Sequence, residues 1–322
     1  MTPSTPAHPT IPRRLFDFQV NGFAGVDFQR DGLTAAELRH AVTGLREHKV
    51  ARIFVTLITD EIDSLCRRLA HFEQLAIADP TVRKMIAGYH IEGPWLSSEP
   101  GYRGAHPSAP MHAPDIGEFE RLQQAAGGNV RLVTLAPEWP GSAEFIHHVT
   151  RGGVSVSLGH TRANDDQIDR AIQAGARFCT HLGNGTPALM ERHDNITQRL
   201  LARDELIACF IPDGVHLPAF VLRNFFRAKP RGRTLFTTDA MAGAGAPPGR
   251  YTLGALEIDI GDDRIARQPG RQGFAGSTLT PRDGVTRVME HLGLSFDEAL
   301  NLWSDASAAA FGLPPLPDDE EN

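Results

Sequence analysis

Eight short runs rich in apolar and β-branched residues recur along this chain at a nearly constant spacing, and they restrict its fold more than any other feature. They are Leu15–Val20, Arg52–Ile58, Met85–Ile91, Val130–Leu135, Val154–Leu158, Arg177–Thr180, Leu206–Ile211 and Thr234–Thr238. Their starts lie about 31 residues apart on average, the length of one βα unit. Apolar residues in unbroken succession, rather than in alternation, mark strands buried on both faces, as a parallel sheet requires. Helical patterns fill most of the gaps. Thr34 stands where it can cap AAELRHAVTGLREHK, with Glu37 at the capping-box position. Asp60 opens EIDSLCRRLAHFEQLAIA, and Asn164 opens DDQIDRAIQAGA. Eight repeats with no break in composition predict an α/β fold, a (β/α)8 TIM barrel. A doubly wound open sheet would want a glycine-rich phosphate loop after an early strand, and neither GxGxxG nor GxxxxGK[ST] is present.

The boundaries follow from this pattern. Residues 1–13 are expected to form a disordered lead, residues 14–313 the barrel, and residues 314–322 an acidic tail. Within the barrel, YTLGALEIDIGDDRIARQ predicts a hairpin insertion near 251–268, turning at Gly261-Asp262-Asp263. Two more helices are expected from about Pro281 and about Phe296.

Composition removes several classes of function. With Lys+Arg 32 against Asp+Glu 39 the formal charge is −7, so no basic surplus exists to neutralise a phosphate backbone and nucleic acid is excluded as a partner. No stretch approaches the roughly 18 apolar residues of a spanning helix, and MTPSTPAHPTIPRR lacks the apolar core of a signal peptide. Cys66, Cys179 and Cys209 are odd in number and far apart, which argues against a disulfide framework and for a reducing cytoplasm.

Barrel enzymes carry their chemistry at the C-terminal ends of the strands. Here those ends read Gln19-Val20-Asn21, His90-Ile91-Glu92, His160, His181, Asp213-Gly214-Val215-His216 and Asp239. Residues i and i+2 share one side of a strand, so Gln19/Asn21 and His90/Glu92 form inward pairs. His160 and His181 end consecutive strands about 5 Å apart, close enough to share one cation. Two His and one carboxylate with an open position make a catalytic zinc arrangement, and Asp239 is placed to serve as a general base. His90 is expected to support Glu92 from a deeper layer. Cys179 is expected to face the same way as His181, one step deeper, as a small buried hydrophobe rather than a ligand. No motif offers a Ser or Cys nucleophile with a base.

Taken in order, DFQVNGFAGVDF, GYHIEGPWL, RGAHP, SLGHTRAN, THLGNG, IPDGVHLPAFVLR, TTDAMAGAG, YTLG and AGSTLT resemble the N-acetylglucosamine-6-phosphate deacetylases of the amidohydrolase superfamily. The resemblance runs from about Leu15 to Gly312. It implies one divalent metal ion (zinc, with iron or manganese as alternatives) held by Glu92, His160 and His181. It implies Asp239 as the acid/base and His106 as the donor that polarises the scissile carbonyl. Where much of the superfamily has HxH, this chain has Gln19 and Asn21, a vestigial metal position. His216 and the backbone at Asn184-Gly185 resemble the sugar-phosphate contacts, with His216 offered across a homodimer interface. Arg192 falls at the position of an Arg that grips the phosphate. The implied partner is a small amino-sugar phosphate.

Two departures stand out. The family's small β-rich satellite domain is expected to be missing. Around the phosphate site THLGNGTPALMERHDN departs from the family's THLxNAM and RExG. The alternatives are therefore the same chemistry on another N-acyl sugar or amide, or a barrel that binds sugar phosphate without catalysis.

Overall fold

The computed structural model describes residues 11, 15–270 and 273–316; most of the expected lead and tail lies outside the described residues. All eight expected strands form. They are β1 Leu15–Val20, β2 Val50–Ile58, β3 Ile86–Glu92, β4 Val130–Leu135, β5 Ser155–Leu158, β6 Phe178–Cys179, β7 Ile207–Phe210 and β8 Thr234–Phe236. They pair in sequence order as one eight-stranded sheet, every neighbour parallel. The intervening helices include α1 Ala35–Glu47, α2 Ile62–Ala78, α3 Ile116–Ala125, α4 Ser142–Arg151, α5 Asp165–Ala174, α6 Ile196–Leu201 and α7 Ala219–Ala228. This is a (β/α)8 barrel.

Local chemistry sets the helix starts. Thr34 and Asn164 each close a full capping box, with Glu37 and Gln167 respectively. The second helix starts later than the sequence suggests, at Ile62 after Glu61, and no side chain caps it. The barrel is held from outside by a continuous apolar layer. It includes Val55, Leu57, Ile91, Val133, Val156 and Leu158 of the strands and Leu38, Val42, Leu65, Leu69 and Phe72 of α1 and α2, all buried. Each such side chain contributes about 1.5–3 kcal/mol by leaving water. A second cluster, with Phe16, Phe18, Phe54, Leu132, Phe178, Ile207 and Leu235, plugs one end of the barrel. Phe311 seals it, stacked on Phe178 with ring centroids 4.7 Å apart.

The seam between β8 and β1 is built differently. No ladder joins these strands among the described residues; a single bridge pairs Val20 with Ala240. The Asp17 carboxylate spans the gap instead. It accepts from the hydroxyls of Thr237 and Thr238, each at 2.5 Å, and from the Thr238 backbone N–H at 3.3 Å.

Beyond β8 the expected hairpin is a three-stranded antiparallel sheet: β9 Gly249–Leu253, β10 Leu256–Ile260 and β11 Ala266–Arg267. The turn at Gly261-Asp262-Asp263 exists but joins β10 to β11. A tighter turn at Gly254, with φ +60°, joins β9 to β10. Glycine there permits the left-handed backbone that a two-residue connection needs, so one expected strand is two. The chain then forms α8 Pro281–Leu292 and α9 Phe296–Leu302, as expected, and a short α10 Asp305–Ala310.

Candidate active site

The strand ends converge on a cavity of about 480 Å³ at the C-terminal mouth. Glu92, His106, His160, His181, His216, Asp239 and Asn21 line it, with Asn184 and Gly185 on the rim. Strand alternation alone does not place the two central histidines there. Leu158 and Cys179, two residues before His160 and His181, pack in the layer between sheet and helices. Regular extended backbone would therefore send both rings outward too. Instead His160 and His181 take positive φ values of 50° and 27°, and Asp239 takes 51°. Non-glycine residues in this region carry strain of order 1–3 kcal/mol; here it turns each side chain into the mouth. Cys179 accordingly does not share the face of His181, a correction to simple alternation. Its thiol is buried and pushed up to about 12 by burial, the behaviour of a small hydrophobe.

Three atoms form a nearly equilateral triangle. His160 Nε2 lies 3.1 Å from His181 Nε2, His181 Nε2 lies 3.2 Å from Glu92 Oε1, and His160 Nε2 lies 3.3 Å from the same oxygen. Tetrahedral zinc with bonds of about 2.0–2.1 Å places its ligands roughly 3.3 Å apart, so the donor set fits a divalent cation. His160 is also set up for ligation by its other nitrogen. Nδ1 donates to the Tyr102 carbonyl at 2.9 Å, which leaves Nε2 bare. Burial pushes the Glu92 carboxyl up, but the His160 and His181 rings against it hold it well below the usual range. Glu92, His106 and His160 also come within 4.8 Å of one another, which makes His106 a geometric rival to His181.

Gln19 and Asn21 are not arranged as ligands. Gln19 Nε2 donates to Glu92 Oε2 at 3.2 Å and to Asp239 Oδ1 at 3.1 Å, and Asn21 Nδ2 donates to the same Oδ1 at 2.7 Å. The Gln19 amide thus bridges the two carboxylates, and the Asn21 amide adds a second hold on Asp239. Asp239 is pushed up to about 7, chiefly by burial and then by the negative charge of Glu92. Its backbone is gripped from the AGSTLT segment: Ser277 N–H donates to the Asp239 carbonyl at 2.9 Å, and Ser277 Oγ to the Thr238 carbonyl at 2.5 Å. His90 sits below Glu92, buried between the hydroxyls of Thr56 at 3.2 Å and Thr134 at 2.8 Å, the supporting place expected of it.

The outer residues divide. His216 lines the cavity of its own chain, its Nδ1 2.6 Å from Asp213 Oδ2. A cross-subunit reach is therefore unnecessary for it to meet a ligand. Arg192 is exposed and absent from the lining, although Pro187 and Ala188 of the same loop contribute to it. No Lys or Arg lines the cavity among the described residues. Sequence reasoning also passed over Thr59, Ser277 and Phe274. The strand-end rule applied to β2, which runs into Thr59, contained the signal for the first, and the AGSTLT motif contained it for the second.

No family model matches the chain. Individual proteins do. It is 34% identical over 309 residues to the N-acetylglucosamine-6-phosphate deacetylase of Bos taurus, covering 93% of this chain and 74% of that one. The chain belongs to the N-acetylglucosamine-6-phosphate deacetylase family. The Bacillus subtilis deacetylase of the same name is 27% identical over 310 residues, covering 96% and 77%. An N-acetylgalactosamine-6-phosphate deacetylase of Escherichia coli O157:H7 is 30% identical over 298 residues, covering 92% and 77%. Among solved structures, an aspartate-to-alanine mutant of the Mycobacterium smegmatis N-acetyl-D-glucosamine-6-phosphate deacetylase, in complex with N-acetyl-D-glucosamine 6-phosphate, superposes with a TM-score of 0.85. That match has 33% identity and covers 94% of this chain and 78% of that one. Family membership makes the chain an enzyme of the amidohydrolase type, acting on an acetamide C–N bond.

Proposed function

We propose that this chain hydrolyses the acetamide of N-acetylglucosamine 6-phosphate to acetate and the free amino sugar phosphate. The observation that carries the proposal is the Glu92–His160–His181 triangle beside a raised Asp239 on one cavity, in a member of this family. Glu92, His160 and His181 would hold one divalent ion, zinc in our reading, which would supply Lewis-acid polarisation of water and of the amide oxygen. Asp239 takes the proton from the attacking water, beside the ligands that would hold the ion. His106 donates to the carbonyl oxygen as negative charge develops there. Asp239 then delivers its proton to the departing nitrogen, since an amine leaves readily only when protonated. Gln19 and Asn21 keep Asp239 aimed through both halves. His216, oriented by Asp213, and the backbone at Asn184-Gly185 would bind the sugar phosphate.

Residues 249–267 are read as an insertion on a single catalytic barrel. A homodimer is part of the proposal: Arg192 is exposed and stands outside the lining of its own cavity, and Leu189 of the same loop and Phe220 in the first turn of α7 are 92% and 66% exposed. Among the described residues no helix is long and apolar enough to cross a membrane. The cysteines are free, and we place the enzyme in the reducing cytoplasm.

One observation favours a second reading. A cavity with no Lys or Arg among its described lining residues also suits an N-acetyl amino sugar without phosphate, or the galacto isomer. Acetate release by metal-loaded protein, compared across N-acetylglucosamine and N-acetylgalactosamine with and without the 6-phosphate, decides. Preference for N-acetylglucosamine 6-phosphate is expected; equal or better kcat/KM on the unphosphorylated sugar would overturn the phosphate assignment.

A further inference from the structure

His106 and His160 stand side by side at the mouth, ring centroids 4.5 Å apart, yet the roles proposed for them are opposite. One must offer a bare Nε2, the other an Nε2–H. A neutral imidazole has a single ring proton, so the partner of Nδ1 decides which it is. For His160 that partner is the Tyr102 carbonyl, which can only accept. For His106 it is the hydroxyl of Thr59, 2.8 Å from Nδ1, which can do either.

The surroundings of Thr59 remove the ambiguity. The residue is 3% exposed, so its hydroxyl proton needs a protein acceptor. The other acceptor on it is the Glu92 carbonyl at 3.4 Å, well beyond the usual 2.5–3.0 Å of an O–H···O bond. The site is shaped for this hydroxyl. Gly93 has φ +92°, and a Cβ there would lie 2.1 Å from Thr59 Oγ1. Only glycine lets the chain after Glu92 pass so close.

We infer that Thr59 is a positioning residue that donates to His106 Nδ1, fixes the ring proton on Nε2, and so makes His106 a donor to the scissile carbonyl and not a fourth metal ligand. The inference rests on the function proposed above. It explains how two adjacent histidines of like burial are sorted: a backbone carbonyl behind one, a hydroxyl behind the other.

The test uses the zinc-loaded full-length protein labelled with 15N-histidine. Long-range 1H–15N spectra report which ring nitrogen is protonated, and the His106 signals are assigned by their loss in His106→Ala. The wild type is expected to show His106 protonated on Nε2. Thr59→Val keeps the shape and removes the donor. It is expected to shift His106 toward the Nδ1–H form and to lower kcat about three- to tenfold with KM within about twofold, the scale of one ordinary hydrogen bond. Thr59→Ser restores the donor and is expected to restore both readouts. A wild-type spectrum with the proton on Nδ1 would overturn the inference even if the valine variant did not fold. So would a folded Thr59→Val with an unshifted spectrum and wild-type kcat. Undiminished kcat in His106→Ala would instead remove His106 from the proposed mechanism, which separates that failure from this one.

Discussion

Asp17 is fully buried at the barrel seam, and the pH dependence of its cost can be worked out. Burial pushes its carboxyl up to about 6 from 3.8, against the opposing pull of the Thr237 and Thr238 hydroxyls and the Gln19 and Thr238 N–H groups. The folded protein therefore binds a proton more tightly at this position than the unfolded chain does. Between pH 4 and 6 the folded state holds that proton while the unfolded state has lost it, so the contribution to stability falls as pH rises. It is fully present below the unfolded value and gone above the folded one. A shift of roughly two units corresponds to about 3 kcal/mol at 1.36 kcal/mol per unit.

Asp17→Asn keeps the shape and cannot ionise. Its stability relative to wild type is expected to improve by about 3 kcal/mol between pH 4 and pH 7, with most of the change between 3.8 and 6. The assay is equilibrium urea unfolding at closely spaced pH values. A chelator is present throughout, so that metal affinity does not enter the comparison. The absolute offset between the two proteins is not the prediction, because Asn also replaces an acceptor of two hydroxyls by one amide oxygen and one N–H₂. The slope is. A difference constant to within about 1 kcal/mol across that range would refute the argument and show that the hydroxyls and N–H groups offset the desolvation in full. The measurement bears on catalysis as well, because Thr237 and Thr238 lead directly into Asp239.

Three further outcomes test the site and the scaffold. Glu92→Ala removes one corner of the triangle and is expected to lower metal occupancy in elemental analysis; full stoichiometry would rule it out as a ligand. Asp239→Asn should keep the metal while turnover falls by about 10²–10⁴, the usual weight of a positioned acid/base, and wild-type acetate release would end that assignment. Gly284→Ala in α8 should destabilise the protein by about 1–3 kcal/mol, since its Cβ would lie 2.3 Å from Trp303 Cζ2 in the buried α8–α9 contact. A raised melting temperature would mean that helix propensity, worth about 1 kcal/mol for this exchange, outweighs the clash.

The barrel was legible because eight short apolar runs recur at the spacing of a βα unit, with helical patterns between them. Even β6, reduced to Phe178–Cys179, could be placed from its spacing and apolarity. Thr34 and Asn164 were legible as caps because their bonds are local in sequence. The split of the expected hairpin into β9, β10 and β11 was not, because Gly254 and Gly261 offer equivalent turns and only packing decides that both are used. The seam was equally hidden. Asp17 lies inside an apolar run, and nothing near it in sequence announces that its partners are Thr237 and Thr238, 220 and 221 residues away.

The same contrast separates the reaction from its substrate. Glu92, His160, His181 and Asp239 are strand-end residues, so the periodicity that predicts the barrel also predicts that they meet, even though left-handed backbone rather than alternation brings three of them inward. Their chemistry is carried by the scaffold. His216, Arg192 and the Asn184-Gly185 rim sit on loops, where no period constrains direction; the resemblance pointed to all of them, and the cavity is lined by His216 and the rim but not by Arg192. The division of labour between His106 and His160 lies deeper still, in whether a hydroxyl or a carbonyl stands behind the ring. In the proposed mechanism the strands carry bond cleavage, the groups that back the histidines place the protons, and the loops are left to choose the substrate; the similar proteins include deacetylases named for both gluco and galacto sugars.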